Sequence, residues 1–294
     1  MAMTPAAEVD IDTDLVVSLL ADQHPDLAGK PVRLVANGWD NALFRLGEDL
    51  VVRLPRREAA AHLVENEARW LPVVSRLIPI PTPVPVRSGV ASWRYPWSWT
   101  VSPWIDGTSA LGLSPAERAP LARPLGETLA ALHKPAPADA PLNPVRGVDV
   151  RSRDAAVRGR LTASASPAAR GLEALWAELV DARPWSREPV WVHGDPHPGN
   201  VLVRGGHLAA LIDFGDVCAG DPATDLAAGW LFFDAEARAE FRAAADARGG
   251  YEAADWVRAR AWALIMGTAF DAHSDDDPAM AVLAAHTLTQ VASD

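Results

Sequence analysis

The chain has 294 residues, 49% of them hydrophobic, which is enough to bury a sizeable core and excludes wholesale disorder. With 27 basic residues against 38 acidic ones, the net charge of −11 argues against a nucleic-acid partner, which would need a basic face; it is compatible with a cationic small-molecule partner. No apolar stretch is long enough to span a membrane, Met1–Asp14 shows no leader pattern, and the lone Cys218 cannot form an internal disulfide, so a cytoplasmic location is expected.

In chain order, Asp12–Asp22 reads as a first helix with Thr13 as N-cap and Leu15, Leu19 and Leu20 on one stripe. Three alternating runs, Pro31–Ala36, Ala42–Leu46 and Leu50–Leu54, predict strands; a turn, Asn37-Gly38-Trp39-Asp40-Asn41, joins the first two. A helix follows from Arg57 to Leu71. Leu63, Val64, Trp70 and Leu71 gather on one face, and Glu67 sits in the middle of that face while Glu65 points away. A carboxylate on a buried stripe needs a partner. Pro79–Pro85 is an extended linker leading to a strand near Pro83–Arg87, and Trp97–Val101 predicts a further strand. Trp93, Trp97, Trp99 and Trp104 crowd this region, where packing is the expected role. Pro115–His133 reads as a long helix kinked or split at Pro120 and Pro124, and 134–149 as a loop. Helices are predicted around 153–163 and 168–182, and three more over 234–248, 252–271 and 277–291.

The segment Trp191–Asp216 carries the chemistry. A short strand, Pro189–Val192, leads to a polar turn with Asp195, and Asn200 follows five residues later. Then come Val201–Val203, a Gly205-Gly206 turn and Leu208–Ile212, which delivers the triplet Asp213-Phe214-Gly215. One aspartate can orient an attacking hydroxyl, while an amide oxygen and a second carboxylate can hold the Mg²⁺ that shields nucleotide phosphates. Taken singly, these residues are ordinary turn formers. A binuclear metallohydrolase is the sharper alternative, with His193, Asp195 and His197 alternating on one strand face, but Pro196 and Pro198 favour a turn and the other histidines are scattered.

His193-Gly194-Asp195, Asn200 and Asp213-Phe214-Gly215 resemble the catalytic and metal-binding loops of the aminoglycoside phosphotransferase family, whose fold is that of protein kinases. Gly194 in place of arginine and the His197-Pro198 pair resemble the antibiotic-kinase branch. The resemblance implies an α+β, bilobal protein-kinase-like fold: an antiparallel-sheet lobe over 1–103 that binds nucleotide, and a mostly helical lobe over 104–294 that holds the catalytic and metal loops and the acceptor. It implies Asp195 as the catalytic residue, Asn200 and Asp213 as Mg²⁺ ligands, and Arg53 held by Glu67 on the phosphates of ATP or GTP. Arginine stands where kinases usually have lysine, as in related sequences of the family. The turn with Gly38 and Asn41 would cover the phosphates, and Ser102 carbonyl with Trp104 N–H would meet the purine. His193 and Asp225 would support the catalytic loop. Asp216, Asp234 and Asp271 would grip the amines of a cationic acceptor, an aminoglycoside or another antibiotic, with resistance as the consequence. A sugar, an amino alcohol or another metabolite is the alternative acceptor, and a nucleotide-sensing pseudokinase the non-catalytic alternative.

Overall fold

In the computed structural model, residues 5–294 are described, so the first four residues of the segment read for a leader lie outside them. Thr13–Gln23 (α1), Val32–Asn37 (β1), Asn41–Leu46 (β2), Leu50–Pro55 (β3), Glu58–Val74 (α2), Arg87–Gly89 (β4) and Trp99–Pro103 (β5) make the first lobe. The strands form one sheet in the order β1-β2-β3-β5-β4, every pair antiparallel. Because side chains alternate along a strand, Ala42, Phe44, Leu46, Val52, Leu54, Trp99 and Val101 share a core with Val16, Leu19 and Leu20 of α1. The intervening residues, Arg53, Thr100 and Ser102 among them, are thereby turned to the opposite face.

Several boundaries differ from expectation. Asp12, not Thr13, caps α1, its carboxylate accepting from the Leu15 N–H at 2.8 Å, so Thr13 is already helical. Helix α2 runs through Pro72 to Val74, because Trp70, Leu71 and Val74 join the core of the second lobe and offset the missing hydrogen bond. The proline-rich run stays extended until β4, and β5 starts at Trp99 rather than Trp97. Of the crowded tryptophans, Trp99 is fully buried but Trp93 is 84% exposed, lying under the Arg94 guanidinium instead of in a core.

The second lobe comprises Thr108–Ser109 (β6), Pro115–Arg118 (α3), Ala122–Leu132 (α4), Asp154–Ala163 (α5), Leu172–Leu179 (α6), Val190–Val192 (β7), Val201–Arg204 (β8), His207–Leu211 (β9), Cys218–Gly220 (β10), Ala223–Leu226 (α7), Ala228–Phe232 (α8), Ala235–Gly249 (α9), Ala253–Ala272 (α10) and Pro278–Ala292 (α11). The expected long helix over 115–133 is split as its prolines predict: α3, a 3-10 turn at Ala119–Leu121, then α4. Gly126 lets α4 lie directly on α9, since a Cβ there would come within 2.5 Å of the Phe241 carbonyl. Trp262, Leu264, Ile265 and Met266 place α10 at the centre of the lobe. Among the described residues no helix is long and apolar enough to cross a membrane.

Candidate active site

Strand β7 aims the chain into a loop whose backbone is clamped from below. Asp225 of α7, completely buried, accepts the His193 N–H at 2.7 Å and the Gly194 N–H at 2.9 Å. Its carboxylate also meets His133 Nε2 at 3.1 Å, and Tyr251 OH lies 2.5 Å from the other ring nitrogen. Gly194 has φ +90°, and a Cβ there would meet the Asp216 carbonyl oxygen at 2.7 Å, so both conformation and space require glycine.

The buried His193 ring closes the loop from within. Its Nδ1 accepts the Asp195 N–H at 3.2 Å and its Nε2 lies 3.0 Å from the Ile212 carbonyl. That pattern is satisfied by the neutral ring carrying its proton on Nε2. With both nitrogens engaged, His193 has none left for a metal, and His197 Nδ1 accepts the Gly199 N–H at 3.0 Å. Among the described residues no group of three or more His, Cys, Asp or Glu side chains is arranged to hold a metal ion. The alternating His193–Asp195–His197 ligand set is therefore corrected: Pro196 and Pro198 bend the chain into a turn, ending in a 3-10 turn at Pro198–Asn200, instead of a strand.

Asp195, Asn200 and Asp213 come together through this loop. The Asn200 amide nitrogen donates to the Asp195 carbonyl at 2.9 Å, which leaves its oxygen as the outward group. The Ile212 N–H donates to the Asn200 carbonyl at 3.0 Å, fixing Asp213 beside it. Asp213 is the one residue other than glycine with positive φ among the described residues, at +63°. A left-handed aspartate costs about 1 kcal/mol or more, and here it turns the carboxylate towards the sheet lobe.

Arg53 meets it there. One guanidinium nitrogen donates to Glu67, as the buried stripe of α2 requires, and Nη2 donates to Asp213 at 2.6 Å. Asn41 completes the set: in the amide orientation that satisfies both its groups, its oxygen accepts from Arg53 Nε at 3.1 Å and Nη2 at 2.9 Å. Burial pushes the Glu67 carboxyl up to about 7, against the pull of Arg53. Burial also acts to raise Asp213, but the Arg53 guanidinium prevails and holds it below the usual carboxylate range. The Asp213 side chain keeps 47% of its exposure, so it remains open to the cleft.

Several predicted site residues have other work. Gly38 gives its N–H to the Asn41 carbonyl at 2.9 Å, a tight turn that withdraws this donor from a phosphate, while the Asn41 side chain faces Arg53. The Trp104 N–H donates to the Asp49 carbonyl at 2.8 Å. Ser102 is opposite Val51 in the same register, so by strand alternation its carbonyl also faces β3. The Ser102–Trp104 purine edge is therefore corrected: β5 stays paired with β3 two residues further than expected. Asp234 caps α9, accepting from the Ala237 N–H at 3.0 Å. Asp271 accepts from Ser164 Oγ at 2.5 Å, and Asp216 accepts from the Asn143 amide at 2.7 Å. Each of the three accepts a neutral donor and retains its charge.

The loop over 134–149 supplies what sequence reasoning missed. Arg146 Nη2 donates to Asp195 Oδ1 at 3.0 Å; its buried charge would be disfavoured, but Asp195 and Asp216 outweigh that and raise its pKa. Asn143 folds back on the N–H groups of Val145 and Arg146 at 2.9 and 3.1 Å. A lone arginine among prolines and alanines carries no periodicity and no motif, so nothing in the sequence singles it out. Asn66 was equally hidden beside Glu67; it donates to the carbonyls of Gly215 and Val217 at 2.8 and 2.9 Å, tying α2 to the Asp-Phe-Gly turn.

A cleft with a sheet lobe above it, a helical lobe below, and a carboxylate–amide–carboxylate set facing a buried arginine defines a kinase-like architecture. The sequence profile of the phosphotransferase enzyme family matches residues 31–262, and the chain belongs to this aminoglycoside phosphotransferase family, with its bilobal protein-kinase-like fold. Similar solved structures include a GDP complex of aminoglycoside 2'-phosphotransferase-IIIa, at 17% identity and TM-score 0.70 over 96% of this chain and 99% of that one. The macrolide 2'-phosphotransferase MphH from Brachybacterium faecium aligns at 22% identity and TM-score 0.65, over 94% of this chain and 98% of that one. Macrolide 2'-phosphotransferase type I aligns at 20% identity and TM-score 0.61, over 96% and 99%.

Proposed function

We propose that this chain is a Mg²⁺-dependent phosphotransferase that moves the γ-phosphate of ATP or GTP to a hydroxyl of a small molecule in the cytoplasm. The convergence of Asp195, Asn200 and Asp213 opposite the Arg53–Glu67 pair carries the reading. Residues 1–103 hold the nucleotide and 104–294 the acceptor. At the purine edge, the Pro103 carbonyl and the Ile105 N–H replace the engaged pair, because alternation turns them away from β3.

The Asn200 oxygen and the Asp213 carboxylate are hard oxygen donors, and Asn200 is oriented by its own amide hydrogen bond, so this pair suits Mg²⁺. When bound, the ion neutralises charge on the phosphate oxygens. Arg53, fixed by Glu67 and Asn41, presents its positive charge to the same phosphates. Asp195, held at Oδ1 by Arg146, orients the acceptor hydroxyl and receives its proton as the phosphoryl group is transferred. Positioning and charge matter more here than base strength, since the transition state is loose. Arg53 bridging Glu67 and Asp213 also couples the two lobes.

The acceptor lies in the class spanned by antibiotics, sugars, amino alcohols and related metabolites. The test is a nucleotide-consumption screen over such hydroxylated compounds with ATP and with GTP, followed by mass detection of the phosphorylated product. Asp195→Ala and Asp213→Ala are each expected to lower turnover by about 10²–10⁴-fold while the fold survives. Normal turnover of a phosphorylated acceptor in either variant contradicts the assignment, and nucleotide binding with no transfer to any acceptor favours the sensing module instead.

A further inference from the structure

Arginines and carboxylates both gather near Asp195, and they differ in how far their hydrogen-bonding groups are met. Asp195 is paired with Arg146, whereas Asp216 and Asp271 each accept one neutral hydrogen bond, from Asn143 and Ser164, and keep their charge. Among the described residues Arg146 has this one carboxylate partner, and two further arginines have none. Arg146 is followed by Arg153, which ends a 3-10 turn at Val150–Arg153, and then by Arg160 on α5. Arg153 and Arg160 stand two turns of helix apart, about 10 Å along the axis, and so on the same face. The Nε groups of Arg146 and Arg153 are buried without a partner. Arg160 reaches only the Ile265 carbonyl, at 3.5 Å. Among the described residues no carboxylate pairs with Arg153 or Arg160, whereas Arg158, on another face of α5, is paired with Asp154.

The row starts at the catalytic loop. Arg146 touches Asp195, and α10, whose Ile265 carbonyl faces Arg160, continues to Phe270, which packs edge-on against His197 at 5.5 Å. Burial lowers the pKa of Arg153 and Arg160, and the neighbouring guanidinium charges lower it further. Like charges gathered in a partly buried place, with donors unmet, are costly unless an anion completes them. Guanidinium groups bind carboxylate and phosphate oxygens through paired N–H donors.

We propose that the acceptor carries an anionic oxygen group, a carboxylate or a phosphate, which sits against Arg153 and Arg160 while its hydroxyl faces Asp195. This rests on the phosphotransferase reading above and narrows its acceptor to hydroxylated acids.

Arginine Nε–H signals, assigned with Arg153→Lys and Arg160→Lys, are followed by NMR as four probes are titrated into the full chain: D-glucuronate, glucose 6-phosphate, D-glucose and D-glucosamine. Saturable shifts of the Arg153 and Arg160 signals with the acid probes, absent with glucose and glucosamine, are expected; the stronger of the two acids separates carboxylate from phosphate. In the consumption screen, acidic acceptors are expected to be used at least about tenfold better, in kcat/KM, than their neutral or aminated counterparts. Arg160→Gln is expected to remove most of that preference through KM. Transfer to neutral or aminated compounds with no arginine response to either acid overturns this inference and leaves the phosphotransferase standing. Absence of Mg²⁺-dependent nucleotide turnover with every compound overturns the function, and the acceptor assignment with it.

Discussion

Arg53 donates to Glu67, Asp213 and Asn41 at once, a task for which a planar fork with several donors is suited and a lysine is not. Arg53→Lys keeps the charge but loses at least one of these partners. It is expected to raise the nucleotide KM by about tenfold and to lower the melting temperature by several degrees, as steady-state kinetics and calorimetric melting would show. Unchanged KM would mean that the guanidinium acts on the lobes and not on the phosphates. Asp225 makes the complementary point, since its carboxylate holds two backbone N–H groups and a histidine while touching nothing in the cleft. Asp225→Asn retains one oxygen but brings an N–H towards existing donors. A loss of about 1–3 kcal/mol with reduced kcat is expected by urea denaturation and kinetics, and full stability would contradict the clamp.

At the scale of elements, the catalytic segment was legible because its residues are local in sequence. Asp195, Asn200 and Asp213 lie within one strand–loop–hairpin, and the spacing that revealed them also builds their geometry. Glu67 was legible for another reason, as a charge on the apolar stripe of α2, and its arginine came from the family resemblance. What sequence could not show depends on tertiary closure. Arg146 reaches Asp195 from a loop without pattern, and the direction of the Trp104 N–H is decided by where β5 stops pairing with β3. The acidic candidates Asp234 and Asp271 stood out by charge alone, and capping or loop-tethering aspartates look like ligands in one dimension. Helix α11 illustrates burial that is equally unreadable. His286 lies on it with its ring held down to about 4 by burial and by Arg118 and Arg238. Its folded pKa is depressed, so its contribution is present above the unfolded value near 6.5 and is lost as pH falls towards about 4. Between pH 7.5 and 5 the parent protein is expected to lose about 1–2 kcal/mol through this residue. His286→Gln is expected to lack that component in denaturant titrations at the two pH values; an identical pH dependence would remove His286 from the account.

At the scale of the whole molecule there are two separate apolar cores, and α2 joins the lower one through Trp70, Leu71 and Val74, while its first half, with Ala60 and Val64 buried, lies outside both. Glu67 sits between these halves, so the Arg53–Glu67–Asp213 bridge reports how the lobes are set. Under the proposed function, Mg²⁺ and nucleotide would act on the same charges that join the lobes. The most direct measurement is calorimetric titration of a non-hydrolysable ATP or GTP analogue, with and without Mg²⁺, into the parent protein, Asp195→Ala and Asp213→Ala. The account predicts one site, with affinity that depends on Mg²⁺, is retained in Asp195→Ala, and falls about tenfold or more in Asp213→Ala. Equal affinity in all three proteins, whether or not Mg²⁺ is present, would contradict it.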